Sequence, residues 1–147
     1  MAMNVSKLIG NCIVCDDIRE ESNGKKILIG VYGADIVVPV FPAVLSLQIY
    51  MEVPSKIVND EFDDLHFKLS SGKEAFRMRV PMSDLKASFA ANSGALGMII
   101  TPKFGVKFDD EGDLIFAVSA NQRSWHQLIS KRIVRGHVPG MIKPSQS

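Results

Sequence analysis

Cysteine is nearly absent from this chain: Cys12 and Cys15 are the only two in 147 residues. That excludes a disulfide framework and a four-cysteine zinc site, and it reads as a pair of reduced thiols in a cytosolic protein. An excess of one charge is also lacking. Seventeen Lys+Arg stand against 16 Asp+Glu, a net charge of +1, which argues against a strongly basic nucleic-acid binder or an acidic tail but leaves room for a local patch. Long apolar runs are missing too. The stretch from Val37 to Leu47 is interrupted by Pro39 and Pro42 and is too short to cross a bilayer. Met1 to Gly10 lacks the charged start, apolar core and cleavage site of a signal peptide. A soluble, cytoplasmic protein with no membrane partner is expected. Repeats, heptads and internal linkers are lacking as well, so residues 1–147 are expected to form one domain with a frayed tail over 139–147.

What remains is ample for a core. Hydrophobic residues make up 46% of the chain and charged residues 22%, a balance that excludes global disorder. Area scaling gives ~7,500 Å² folded against ~23,500 Å² unfolded, so about two-thirds of the surface is buried without staples.

Three turn signals organise the chain. Ser22-Asn23-Gly24-Lys25, Ser70-Ser71-Gly72-Lys73 and the acidic Asp109-Asp110-Glu111-Gly112-Asp113 each lie between runs rich in strand-forming residues. Gly and Asn tolerate the positive φ of short loops, so three hairpins are expected. The runs themselves alternate. Leu45, Leu47, Ile49, Met51 and Val53 oppose Ser46, Gln48, Tyr50 and Glu52; Leu65, Phe67 and Leu69 oppose Asp64, His66 and Lys68; Phe76, Met78 and Val80 oppose Arg77 and Arg79. Phe104, Val106 and Phe108, then Leu114, Phe116 and Val118, continue the pattern. Period 2 means apolar-in, polar-out antiparallel sheet.

The first two strands are less polar on either face, with Ile13-Val14 and Ile27-Leu28-Ile29 adjacent. That suits central strands covered on both sides, or a dimer surface. Trp125, Ile129 and Ile133 fall on one strand face and also at helical i, i+4, i+8 spacing; the β-branched Ile133-Val134 pair favours a strand. One short helix is expected over Asp84 to Ala91, capped by Ser83, with Leu85 and Phe89 inward and Asn92-Ser93-Gly94 ending it. Pro39 and Pro42 bracket a crossing, Pro54 ends a strand, and Pro102 marks an edge or bulge between Met98 and Phe108. The fold expected is all-β: an antiparallel two-sheet β-sandwich, Ig-like or C2-like, of about eight strands and one short helix, with a β-barrel as the alternative.

Few residues suggest chemistry. Cys12 and Cys15 have redox or zinc spacing, but positions three apart on a strand point to opposite faces, and no second ligand pair exists. Buried structural thiols are expected. Asp16, Asp17, Glu20 and Glu21, with Arg19, form the densest acidic cluster. It reads as a solvated hairpin end, a docking surface, or a hard-cation site if the acidic turn Asp109–Asp113 converges on it. His66, His126 and His137 belong to no nucleophile motif. Gly94-Ala95-Leu96-Gly97 lacks the lysine and spacing of a phosphate loop. No catalytic residue, cofactor or metal is therefore assigned. From Asn121 to Ser147 the chain carries Arg123, Lys131, Arg132, Arg135 and Lys143 and no acid, with Trp125 and His126 interleaved. That segment reads as a charge-protected edge strand, a surface for a protein partner, or a track for a phosphate backbone. On a regular strand Arg123 and Arg132 would point in opposite directions, which weighs against the track.

Cys15-Asp16-Asp17-Ile18-Arg19-Glu20-Glu21, Gly24-Lys25 and Leu28-Ile29-Gly30-Val31-Tyr32 resemble the opening of a group of small bacterial and phage-associated proteins. Those share a Cys-Asp-Asp-Ile/Val-Arg-x-Glu stretch, a Gly-Lys turn and a Leu-x-Gly-Val/Ile-Tyr/Phe strand. The resemblance covers roughly the first 40 residues and implies no activity, since none is assigned to the group. The expectation is a non-enzymatic cytosolic protein–protein interaction module, homo-oligomeric or a phage or prophage accessory factor. Its candidate surface comprises Asp16, Asp17, Arg19, Glu20, Arg123, Trp125, Arg132 and Arg135. The alternatives are a metal-binding or acid/base enzyme using Asp16, Asp17 and Glu20 with a histidine, and a weak nucleic-acid binder through Arg123, Trp125, Arg132 and Arg135.

Overall fold

The structure, a computed structural model, describes residues 5–54 and 62–136. After a 3₁₀ turn at Val5–Leu8, the strands are β1 Asn11–Glu20, β2 Lys26–Val31, β3 Asp35–Val38, β4 Ala43–Pro54, β5 Asp64–Ser71 and β6 Lys73–Pro81. Helix α1 Met82–Ala91 follows, then β7 Leu96–Ile100, β8 Phe104–Phe108, β9 Gly112–Ser119 and β10 His126–Arg135. The first sheet runs β2-β1-β4, with β7 and β8 sharing the other edge of β4; the second runs β3-β10-β9-β5-β6. This is a two-sheet β-sandwich, and no barrel closes.

The inward rows are those that alternation selects. Leu47, Ile49, Met51 and Val53 from β4 meet Leu65, Phe67, Leu69, Leu114, Phe116 and Val118 in one core, each at most 1% exposed. Phe67 stacks on Phe116, centroids 5.6 Å apart, and Phe76 stacks on Phe104 at 4.2 Å where β6 faces β8.

Among the described residues ten strands form rather than about eight, because β3 is a separate short strand and Pro102 divides the expected Met98–Phe108 strand. At that break Thr101, 1% exposed, replaces the lost ladder: its N–H donates to the Ile49 carbonyl and its Oγ1 accepts the Ile49 N–H, 3.0 and 2.9 Å. The sandwich is also not wholly antiparallel, since β3 pairs parallel with β10. The crossing through Pro39 and Pro42 carries the chain from β3 in one sheet to β4 in the other, so β3 meets β10 without a hairpin constraint.

Two of the three expected hairpins form. Gly24 (φ +86°) closes β1–β2 and Gly72 (φ +75°) closes β5–β6. The third expectation fails: Asp109–Asp113 joins β8, paired with β4, to β9, paired with β5 and β10, and so links the two sheets. Alternation marks a strand but does not name its partner. The β9–β10 hairpin instead turns through Ala120–Trp125. There Ser119 Oγ accepts the N–H groups of Asn121 and Gln122, and Asn121 Oδ1 accepts those of Arg123 and Ser124.

Helix α1 starts two residues before the expected Asp84, with Pro81 at the N-cap and no side-chain cap from Ser83. Met82 is 7% exposed and its N–H bonds to the Asp63 carbonyl, so the core anchor sets the start. Gly94 (φ +74°) ends the helix as expected, its N–H returning to the Phe89 carbonyl. Leu85 and Phe89 pack on Gly97 of β7, where a Cβ would lie 3.0 Å from each.

Ser88 of α1 blunts the free edge of β7. Its hydroxyl accepts the Met98 N–H at 2.9 Å and donates to the Met98 carbonyl at 3.1 Å. Ser88→Ala leaves both groups without that partner and is expected to destabilise by ~1–2 kcal/mol. Ser83→Ala, which removes no cap, is expected to stay within about 0.5 kcal/mol. Urea unfolding should show a lower midpoint for Ser88→Ala alone, with unchanged slope.

Candidate functional site

The acidic hairpin does not assemble a common site. Asp16 lies opposite Gly30 and accepts a hydrogen bond from the Tyr32 hydroxyl. Asp17 points to the other face, between Arg19 at 3.1 Å and Lys103 at 3.6 Å. The Arg19 hydrogen bond, helped by Lys103, holds the Asp17 carboxyl below its ordinary range. Glu20 pairs with Lys26 at 2.8 Å. Asp16, Asp17 and Glu20 thus each have their own partner.

The second acidic turn lies elsewhere. Asp109–Asp113 borders a groove of ≈ 470 Å³ with Ser71, Gly72, Lys73 and Lys107, and Glu111 accepts the Arg135 N–H. Among the described residues no group of three or more His, Cys, Asp or Glu is placed to hold a metal. His66 lies opposite Arg79 on β6, His126 sits on β10 with Nε2 buried and without a hydrogen-bond partner among the described residues, and His137, Lys143 and the tail 139–147 lie outside them.

The cysteines diverge as strand geometry requires. Cys12 lies opposite core Met51, and burial pushes its thiol pKa up to about 12. Cys15 lies opposite Gln48 and its Sγ–H faces the Gln48 carbonyl at 3.5 Å. Both are free.

Beyond Cys15 the β1–β2 arm leaves the flank of β4. The Ile18 N–H is taken by Gln48 Oε1 at 2.9 Å, and Leu28, Lys25 and Lys26 line a groove of ≈ 540 Å³ with Tyr50, Met98 and Asn92. Strand pairing puts Ile18 and Leu28 on one face of this arm, and Asp17, Arg19, Ile27, Ile29 and Val31 on the other. The second face is exposed: Ile27 40%, Ile29 37% and Val31 57%. The expectation of a strand covered on both sides fails for β2. It is the edge of its sheet, because the chain turns away at Tyr32 toward β3.

The basic segment is reorganised by a bulge. The register of β10 against β9 shifts between Gln127 and Ile129, which resets the parity of the strand. Trp125 therefore does not share a face with Ile129 and Ile133. It lies on the outer face, with Lys68 Nζ 4.3 Å and the Arg77 guanidinium 5.3 Å from its ring centroid. The same reset puts Arg132 on that outer face, paired with Asp35 at 3.0 Å, and removes the parity argument against a continuous track. Arg135 falls on the opposite row, over the Phe41 ring. Of the eight residues singled out from sequence, Asp17 and Arg19 flank the exposed β2 stripe and Trp125 and Arg132 share the outer face of the second sheet. Lys68 and Arg77 were not among them; their period-2 placement opposite Phe67 and Met78 was the available signal.

No family model, curated protein or solved structure matches the chain. No helix among the described residues is long and apolar enough to cross a membrane.

Proposed function

We propose that this protein is a non-enzymatic interaction module that self-associates through the edge of β2, in a reducing, cytoplasmic setting where Cys12 and Cys15 stay free. The observation that carries the reading is the contrast among strand edges. Ser88 satisfies the edge of β7, β3 is only four residues long, β8 is five residues long and carries the exposed Lys107, and β6 presents Glu74, Arg77 and Arg79. Charge, shortness and coverage are the usual protections against edge pairing. β2 carries a single charge, Lys26, which Glu20 holds at 2.8 Å; beyond it, three large apolar side chains lie exposed along an edge that no strand among the described residues pairs.

A second copy fits this edge. Antiparallel pairing of two β2 strands about Leu28 sets Ile27 and Ile29 of one copy beside Ile29 and Ile27 of the other, an isologous contact. Lys26 then faces Gly30 and Lys25 faces Val31, so no like charges are opposed. Asp17 and Arg19 rim the stripe and remain solvated, as interface rims are.

Light scattering on the wild-type chain is expected to give twice the 16.2 kDa chain mass. Ile29→Lys is expected to give the single-chain mass and still to unfold cooperatively, because the side chain is already part-exposed, with a melting temperature that no longer rises with protein concentration as that of the dimeric wild type does. Val44→Lys, at an exposed position on β4 (71%), is expected to leave the dimer intact. A wild-type monomer at the highest soluble concentration, or a dimer indifferent to Ile29→Lys, overturns the proposal.

A further inference from the structure

The outer face of the second sheet is separate from the β2 edge and differs in chemistry. At its β9–β10 end, Trp125 stands beside Lys68 of β5 and Arg77 of β6, with Arg79 one pair further along β6 and Arg123 in the preceding loop. Two carboxylates reach this cluster: Glu74 holds Arg77 at 2.6 Å and Asp64 holds Arg79 at 3.0 Å. Among the described residues, no carboxylate lies within ion-pair distance of Lys68 or Arg123. The local charge is therefore positive although the chain is nearly neutral.

The ring is held in place. Ser119, fully buried, and Asn121 bind four backbone N–H groups of the loop. Trp125 Nε1–H donates to the Gln122 carbonyl, and Gln122 Oε1 accepts from Arg77. A tryptophan fixed this way presents its face at little ordering cost. The bulge after Gln127 then continues the outer row toward Arg132, about 20 Å along the strand at ~3.3 Å per residue.

We infer that this face binds single-stranded nucleic acid, with a base stacking on Trp125 and adjacent phosphates meeting Lys68 and Arg123. A part-exposed aromatic ring beside Lys68, which holds no carboxylate in an ion pair among the described residues, matches both components of such a strand: the base replaces Lys68 against the ring while the phosphate takes up the ammonium. A duplex offers phosphates but no free base face. An acidic peptide offers charge without a stacking partner.

Trp125 is the only tryptophan in the chain, so its fluorescence reports directly on stacking. Titration with an oligothymidylate about ten nucleotides long at low salt is expected to quench it saturably. The corresponding duplex should quench weakly. The logarithm of the binding constant should fall with log salt, and Lys68→Gln or Arg123→Gln should each flatten that slope by about 0.7. By anisotropy of a labelled oligonucleotide, Trp125→Ala is expected to weaken binding about 5- to 150-fold. Should that variant fail to fold, the two glutamine variants, both at solvent-facing sites, still decide the matter. Absence of quenching at low salt, equal displacement by polyglutamate, or a slope unchanged in both glutamine variants overturns the inference.

Discussion

Phe67→Ala is expected to destabilise the protein by ~3–5 kcal/mol, because it empties the centre of the core. Phe67 is fully buried on β5, the strand between β9 and β6. Its ring stacks nearly parallel on Phe116, with 9° between the planes. Alanine removes the ring from between the two sheets, where its neighbours are themselves held by ladders and cannot collapse into the gap. The lost transfer energy and the residual cavity then add. For a chain of this size each kcal/mol moves the melting point by about 2–4 °C, so a fall of roughly 6–20 °C is expected. Lys68→Ala, one residue along on the outer face, is expected to cost under about 1 kcal/mol, since it loses the contact with Trp125 and a solvent-screened attraction to Glu74. Comparable small effects at the two positions would refute the inward row.

That pair also shows what was legible in the sequence. Where one face is buried and the other wet, side chains alternate and the rows can be read directly; Leu65-Phe67-Leu69 and Leu114-Phe116-Val118 are such rows. Pairing is not encoded in the alternation. Phe104–Phe108 and Leu114–Val118 look like the arms of a hairpin across Asp109–Asp113, yet they enter different sheets, because a strand's partner is chosen by global packing. The bulge in β10 was hidden for a related reason. Gln127-Leu128 carries no glycine or proline to announce an extra residue, and a single insertion inverts every later assignment. The candidate surfaces suffered accordingly. Trp125 and Arg132 stand out in the sequence, but the bulge sets which face each takes, and Lys68 and Arg77, on distant strands, join Trp125 only through sheet order. The exposed β2 stripe was visible as an apolar run, but whether a run is covered or bare depends on which strand lies beside it.

Gly30→Ala is expected to cost about 2–4 kcal/mol, and its two physical components can be separated. Gly30 has φ +68° inside β2, and an alanine there carries the penalty of a left-handed backbone, ~1–2 kcal/mol. A Cβ at this position would also collide with Asp16 Oδ2 and lie 2.7 Å from Asp16 Cγ. The carboxylate must then move off Gly30 and give up the hydrogen bond from Tyr32. Gly24 supplies the control: its φ is +86°, and nothing lies within 4 Å of its Cβ position, so Gly24→Ala should show only the backbone share. Asp16→Ala in the Gly30→Ala background should recover part of the loss, and the non-additivity measures the clash. If Gly30→Ala costs no more than Gly24→Ala, the contact between Asp16 and β2 is not held in solution. The contact matters beyond stability. Tyr32 also gives its carbonyl to Lys131 Nζ, so Asp16, Gly30 and Tyr32 fasten the base of the β1–β2 arm to β10. An arm fastened there presents Ile27 and Ile29 in one orientation, which a strand-edge contact requires. Gly30→Ala is therefore expected to weaken self-association as well as folding, whereas Gly24→Ala, at the far tip, should leave the light-scattering mass unchanged.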